Sequence, residues 1–286
     1  MIRLCADSMK LDVMPTIGGA VANLWRGDRP ILRPMPEGSS DVLQAAMFPL
    51  VPFANRIRDG AFQAGERVVK LPPNFGESPH PLHGHGWHVA WQVADVSATC
   101  MHLSYRHFAD AWPWDYEAVL VYQLRPNGLR TSLRVTNLSK DPMPAGLGFH
   151  PYFRLSPHSR LQTTVDGMWE ADEDTLPSRW RADSIKSWNN NALVGDNPST
   201  IDHCHSGFSG TASLYNGEHL ALTLLASENC RWLHIFVPQD LDYFCVEPVT
   251  HMPDPFSHPL SGLQLLSQGQ TLDAWMDLNV YDQNNG

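Results

Sequence analysis

Apolar and polar residues alternate with a period of two along much of this chain. Over residues 129–136, Leu129, Thr131, Leu133 and Val135 fall on one face of an extended backbone. Arg130, Ser132, Arg134 and Thr136 fall on the other. That pattern predicts a half-buried strand. A similar run at 118–124 precedes it, with Arg125-Pro126-Asn127-Gly128 between them, and the two predict a β-hairpin. Further strands are predicted at 87–96, 101–105, 219–226, 231–237, 243–246 and 274–281. Helical periodicity with caps is nearly missing, and 23 prolines and 20 glycines interrupt the chain every few residues. Pro49, Pro52, Pro72, Pro73, Pro79 and Pro81 exclude a long helix from the first third.

Residues 166–198 have little apolar periodicity and are rich in Asp, Ser, Asn and Trp, which predicts a long irregular excursion. No repeat, low-complexity tract or linker divides the chain. The expectation is therefore one all-β domain over residues 1–286, a large, mostly antiparallel β-sandwich or barrel.

A chain of 286 residues with 43% hydrophobic and 17% charged residues is long and apolar enough to bury a large core. The net charge of −10, with no basic stripe, argues against nucleic acid and against an anionic membrane surface. Cys5, Cys100, Cys204, Cys230 and Cys245 are odd in number and lack CxxC spacing, so they read as thiols in a reducing compartment. The first fifteen residues carry no apolar signal core, and no stretch approaches the roughly 20 apolar residues of a membrane helix. A cytoplasmic location is expected.

Candidate chemistry lies where polar residues interrupt apolar runs. His150 sits between Phe149 and Pro151-Tyr152-Phe153. Glu247 ends the run Tyr243-Phe244-Cys245-Val246 and precedes Pro248. A residue before proline is restricted to extended backbone, so both side chains project from constrained chain. The competing readings are a structural histidine and a strand-end glutamate. His83 and His85 flank Gly84 and would share a face if extended; this is also a metal-ligand spacing, without the downstream glutamate of a cupin-like site. Asp202-His203-Cys204-His205 has no recognised ligand spacing. Arg56 and Arg58 could clamp hydroxyls or phosphate, or one could pair with Asp59. One or two of the ten tryptophans are expected to face a ligand, the rest to be core. No GxSxG, GxxxxGK[ST] or GxGxxG motif is present, which argues against serine hydrolases, nucleotide binding and dehydrogenases.

In order, Asn55-Arg56-Ile57 with Gly60 and Phe62, Leu82-His83-Gly84, Gly148-Phe149-His150-Pro151-Tyr152-Phe153, Asp202-His203 and Val246-Glu247-Pro248 resemble the aldose 1-epimerase (galactose mutarotase-like) family. Phe149 stands where members close to galactose mutarotase often have asparagine, and His85 where they have a second glycine. The GHGW and AWPWDYEA stretches are similar to a bacterial side branch. The resemblance implies a large antiparallel β-sandwich. It also implies His150 as general acid, Glu247 as general base and His83 near the ring oxygen and anomeric centre. Arg56, Asp202 and Asn55 would bind sugar hydroxyls. No metal and no cofactor is implied, and the partner is a small-molecule sugar substrate; a monomer or homodimer is expected.

Opening a cyclic hemiacetal needs one base at the C1 hydroxyl and one acid at the ring oxygen, each worth ~10²–10⁴-fold. The expected activity is interconversion of the α and β anomers of a free aldose. The only lysines, Lys10, Lys70, Lys140 and Lys186, lie outside these segments, which argues against a phosphorylated substrate unless Arg154 or Arg231 joins Arg56. The rival readings are a hexose-6-phosphate 1-epimerase, a non-catalytic carbohydrate-binding β-sandwich and a metal-dependent cupin-like enzyme.

Overall fold

A computed structural model describes residues 1–182, 188–195 and 199–282. Two large antiparallel sheets carry the fold, one of eleven strands and one of nine. The expected hairpin lies near the middle of the nine-stranded sheet. Tyr116–Arg125 pairs with Gly128–Asn137 in the register Leu120↔Leu133, and the pairing ends at Arg125↔Gly128 with Pro126 and Asn127 between. Leu129, Thr131, Leu133 and Val135 are buried, as their alternation predicts. Thr271–Val280 pairs with the far side of the hairpin and His219–Ala226 pairs with Thr271–Val280.

The eleven-stranded sheet runs Ile2–Ala6, Met9–Met14, Ala20–Arg26, Met47–Leu50, Gly148–Arg154, Tyr243–Val249, Trp232–Val237, Ile201–Ser206, Gly167–Ala171, Pro177–Arg181, with Arg29–Pro30 beside Ala20–Arg26. Its first four strands escaped the periodicity reading because they are short and separated by loops. The excursion expected at 166–198 is partly ordered: Gly167–Ala171 and Pro177–Arg181 form an edge hairpin. Residues 183–187 and 196–198 of that segment lie outside the described residues. The strand expected at 87–96 begins only at Gln92. Before it, Trp87 and Trp91 are buried in a loop, their indole N–H groups donating to the carbonyls of Leu82 (3.1 Å) and Gly86 (2.8 Å). No helix among the described residues is long and apolar enough to cross a membrane.

Side chains from both sheets form one apolar cluster, including Leu4, Val21, Ile235 and Val246 from one sheet and Leu120, Leu133, Leu224 and Met276 from the other. Alternation then decides what lies on the opposite face of the larger sheet. Phe149 and Phe153 point into the shared core, and burying each contributes roughly 1.5–3 kcal/mol. Phe48, Tyr152 and Cys245 therefore join a second cluster on the outer face, with Trp87 and Val249. A slip of one residue would reverse every side chain, so core burial fixes the direction of His150 and Glu247.

Candidate active site

Five adjacent strands of the larger sheet place one row of side chains on its outer face. The register pairs Phe48 with His150, Glu247 with His234, and His234 with Cys204. Gly148↔Val249 and Tyr152↔Cys245 bracket His150 and Glu247, which sets these two opposite each other. No ladder pair forms between those brackets, where Pro151 and Pro248 offer no backbone N–H. His150 Nε2 lies 3.3 Å from Glu247 Oε1, and both side chains are buried. His150 packs on Phe48 and Tyr152, each with its ring centroid 4.6 Å away.

The first third of the chain supplies a second wall. Asn55 and His83 clasp each other through two bonds. The Asn55 backbone N–H donates to His83 Nδ1 (2.9 Å), and the His83 backbone N–H donates to the Asn55 carbonyl (2.9 Å). Because Nδ1 accepts, neutral His83 carries its proton on Nε2. The clasp holds both residues in the left-handed region, with φ of 55° at Asn55 and 58° at His83. Asparagine tolerates this conformation; histidine there is strained by about 1–2 kcal/mol. Asn55 Oδ1 also accepts from the Arg56 N–H (2.8 Å).

Between these walls is a cleft of about 210 Å³. All six residues singled out in the sequence line it: His150, Glu247, His83, Arg56, Asp202 and Asn55. Leu43, Phe75, Tyr152, Phe236 and Tyr243 supply apolar and aromatic walls. None of the ten tryptophans does so, contrary to expectation; Trp87 stacks behind Phe48 instead. Arg33 is wedged under Tyr152 and Tyr243 and donates to the carbonyls of Leu43 (2.7 Å) and Ala45 (2.9 Å).

One histidine of the cleft was not singled out: His234, in the apolar strand Trp232–Val237. Its Nε2–H donates to Asp202 Oδ1 at 2.6 Å. Burial works against a charge on this imidazole. The hydrogen bond to Asp202 outweighs it, with help from Cys204 and from the Asp202 and Glu247 charges, and raises His234 to about 10. Burial likewise opposes ionisation of Asp202, yet the bond from His234 keeps its carboxyl below the ordinary value. The two form a buried ion pair.

The facing pair behaves differently. Burial, reinforced by the His234 charge, pushes His150 down to about 3. Burial raises Glu247 to about 8, with the His234 and Arg56 charges opposing and Asp202 adding to the rise. Between those values the pair holds one proton, and in the empty cleft it rests on Glu247. Burial above all, with the Arg56 and His234 charges nearby, holds His83 well below the ordinary histidine value, so it stays neutral. Arg56 Nε and His150 Nδ1 are buried without a hydrogen-bond partner in the protein.

Several other expectations change. Residues 55–60 are not a strand: Asn55 and Asp59 both have positive φ, and Arg58–Gly60 is a single 3-10 turn. Arg56 and Arg58 therefore part company. Arg58 Nε lies 3.0 Å from Asp254 Oδ2, and its ion-pair partner is this residue rather than Asp59. His83 and His85 do not share a face either, because positive φ at His83 and Gly84 turns the chain. His85 stacks on His107 at 4.4 Å and its Nδ1 meets the Tyr116 hydroxyl at 3.1 Å. His203 and His205 diverge from Asp202, while Cys204 stays on its face: His203 Nδ1 accepts from the Ala171 N–H, and His205 Nε2 from the Trp188 indole. Among the described residues two other sets of possible metal ligands converge, His85 with His107 and Asp110, and His150 with Cys245 and Glu247.

The two-sheet sandwich with this cleft on its outer face is the galactose mutarotase-like fold. The crystal structure of a galactose mutarotase-like protein from Clostridium acetobutylicum matches it with a TM-score of 0.87 at 21% identity, covering 98% of this chain and 95% of that one. That of a candidate aldose 1-epimerase from Escherichia coli K12 gives 0.89 at 30% identity, covering 98% of each chain. The Escherichia coli K12 protein YphB, itself uncharacterized, is 31% identical over 286 residues, covering 97% of both chains. The aldose 1-epimerase family model matches residues 1–279, and the chain belongs to that family.

Proposed function

We propose that this protein is a mutarotase, an isomerase that interconverts the α and β anomers of a free aldose by ring opening and reclosure. The observation that carries the reading is the buried His150–Glu247 contact of 3.3 Å at the cleft. A site that only bound sugar would gain nothing from desolvating a carboxyl and an imidazole side by side, which is costly. An acid–base pair needs such a site, because burial moves both groups toward sharing one proton near neutral pH.

In the empty cleft that proton is on Glu247. Once sugar is bound, it crosses to His150, leaving a carboxylate and an imidazolium. Glu247 takes the proton of the C1 hydroxyl while His150 gives its own to the ring oxygen, and the C1–O5 bond breaks to give the open aldehyde. Rotation about C1–C2 presents the other carbonyl face. Closure with the two roles exchanged yields the other anomer and returns each proton. His83, neutral with Nε2–H free of the clasp, donates a hydrogen bond near the anomeric centre. Arg56, Asn55 and the second oxygen of Asp202 bind hydroxyls away from C1, so both anomers fit.

The substrate is unphosphorylated. A phosphate brings about two negative charges and is met by clustered cations or backbone N–H groups. Among the described residues Arg56 is the only arginine lining the cleft and no lysine does so; Arg154 and Arg231 do not join it. The test is polarimetry or exchange NMR on freshly dissolved single anomers of a panel of aldoses. Equilibration no faster than in buffer for every sugar would refute the reading.

A further inference from the structure

Glu247 has a different neighbour on each side across the sheet. Toward Gly148–Arg154 it meets His150, its proton-sharing partner. Toward Trp232–Val237 it meets His234, directly opposite in register. His234 is buried, and Asp202 anchors its Nε2 at 2.6 Å. The sheet thus sets three groups in line, with the carboxyl between two imidazoles: His150 one strand away on one side, His234 one strand away on the other.

We propose that His234 is a positioning residue: a fixed imidazolium, anchored by Asp202, that drives the shared proton off Glu247 and onto His150. The inference rests on the acid–base reading of that pair. Its physical basis is distance. Moving the proton from Glu247 to His150 carries one positive charge from one strand to the next, away from His234. Strands are ~4.8 Å apart, so the charge goes from about one spacing to about two from the fixed cation. At an effective dielectric constant near 20, the His234 charge by itself favours the carboxylate–imidazolium state by roughly tenfold, and the Asp202 charge, which raises Glu247, offsets part of that. Burial favours the uncharged arrangement, with the proton on Glu247. His234 supplies a bias in the opposite direction; its charge also lowers His150, but from one strand farther away. Among the described residues Arg56 also acts on Glu247 as a cation, more weakly than His234 does.

The arrangement also changes the part given to Asp202. One of its oxygens is held by His234, so the residue serves the charge state of the pair as well as the sugar. Asp202 and His234 come from neighbouring strands, Ile201–Ser206 and Trp232–Val237, and are displaced from each other by two residues in the register. That diagonal contact leaves the row position opposite His234 to Cys204, and His234 Nδ1 is buried without a hydrogen-bond partner.

The test uses carbon-13 NMR of the Glu247 carboxyl and nitrogen-15 NMR of the histidine rings in the intact protein, with pH profiles of mutarotation beside them. In the unaltered protein His234 should be an imidazolium at pH 8, since it titrates at about 10. In His234→Gln the Glu247 titration should move up by about two pH units, the loss of a whole cation one strand spacing away, and turnover should fall ~10-fold, the transfer bias just derived. The alkaline limb of kcat/KM should move up with it. His234→Lys, which keeps a cation, should leave that limb near its original position. A neutral His234 at pH 8, or an unmoved Glu247 titration in folded His234→Gln, would overturn the proposal. The NMR readouts need no turnover, so they stand even if no aldose in the panel is equilibrated; that result would count against the mutarotase reading alone.

Discussion

His150 Nε2 and Glu247 Oε1 face each other at 3.3 Å from neighbouring strands, and burial displaces their titrations in opposite directions, to about 3 and about 8. The pair holds a single proton throughout the interval between. Activity should therefore hold level up to about pH 8 and fall above it, where neither group is protonated; at the acid end unfolding sets the limit before both groups are protonated. The alkaline limb belongs to the pair and not to one residue. The alkaline limb reports loss of the last proton, so an ordinary histidine limb near pH 6.5 in kcat/KM would contradict the assignment.

Glu247→Gln keeps shape and hydrogen bonding but cannot take the C1 proton. Turnover should drop at least ~10²-fold with the fold intact. His150→Asn should do the same and abolish the alkaline limb. Polarimetry with circular dichroism separates the two effects, and near-normal turnover in either variant counts against the acid–base pair.

Asn55 is held at φ 55° by its clasp with His83. Asn55→Gly should keep stability within a few tenths of a kcal/mol, whereas Asn55→Val, β-branched in the left-handed region, should cost more than about 1 kcal/mol. Urea unfolding reads this directly. Equal stability of the two variants would mean that the backbone relaxes without the clasp.

Among the described residues Arg56 is the one arginine lining the cleft, with its Nε buried and unpartnered. Arg56→Met should raise KM for the sugar by at least ~10-fold, the loss of a charge-assisted hydrogen bond of about 1.5–3 kcal/mol, with a smaller change in kcat. Glucose and galactose should be equilibrated faster than their 6-phosphates at equal concentration. A preference for the phosphates would favour a sugar-phosphate epimerase.

Acid should unfold the protein early. His150 and His205 are displaced to about 3 and His251 to about 4, all by burial. Each is depressed below its unfolded value, so the unfolded chain binds protons first as the pH falls below 6.5. Stability is present above 6.5 and is lost progressively until these groups titrate in the folded state. At pH 5.5 each costs about 1.4 kcal/mol, roughly 4 kcal/mol together. Glu247 and His234, whose titrations are raised in the folded state, gain stability as the pH falls and offset much of it, so the net loss grows at lower pH. Thermal unfolding between pH 7.5 and 5 checks this, and an unchanged midpoint would contradict it.

The central hairpin and its buried face could be read from alternation alone, because both sides of the pattern extend over several residues. His150 and Glu247 stood out as polar residues in apolar runs before proline. His234 carries a similar signal inside Trp232–Val237, a polar residue in a buried strand, but lacks the proline. Its meaning depends on a register with Glu247 and on a diagonal contact with Asp202, and periodicity carries neither. The divergence of His83 from His85 was hidden for a related reason. It follows from positive φ at a non-glycine residue, which is imposed by the bond from the distant Asn55 N–H.

The placing of Tyr243–Val249 between Gly148–Arg154 and Trp232–Val237 has a consequence for assembly. Phe48, His150 and Glu247 touch across the sheet, yet successive members are separated by roughly a hundred residues of chain, and closing loops of that length is entropically expensive and slow. Glu247 rides on a strand that pairs on one side with Trp232–Val237, made just before it, and on the other with Gly148–Arg154, made much earlier. Until it docks, the sheet is split in two and His150 faces water with an ordinary basicity. The acid–base couple is thus a property of the completed sheet, and a fragment ending before Tyr243–Val249 would hold neither its carboxyl nor the displaced histidine.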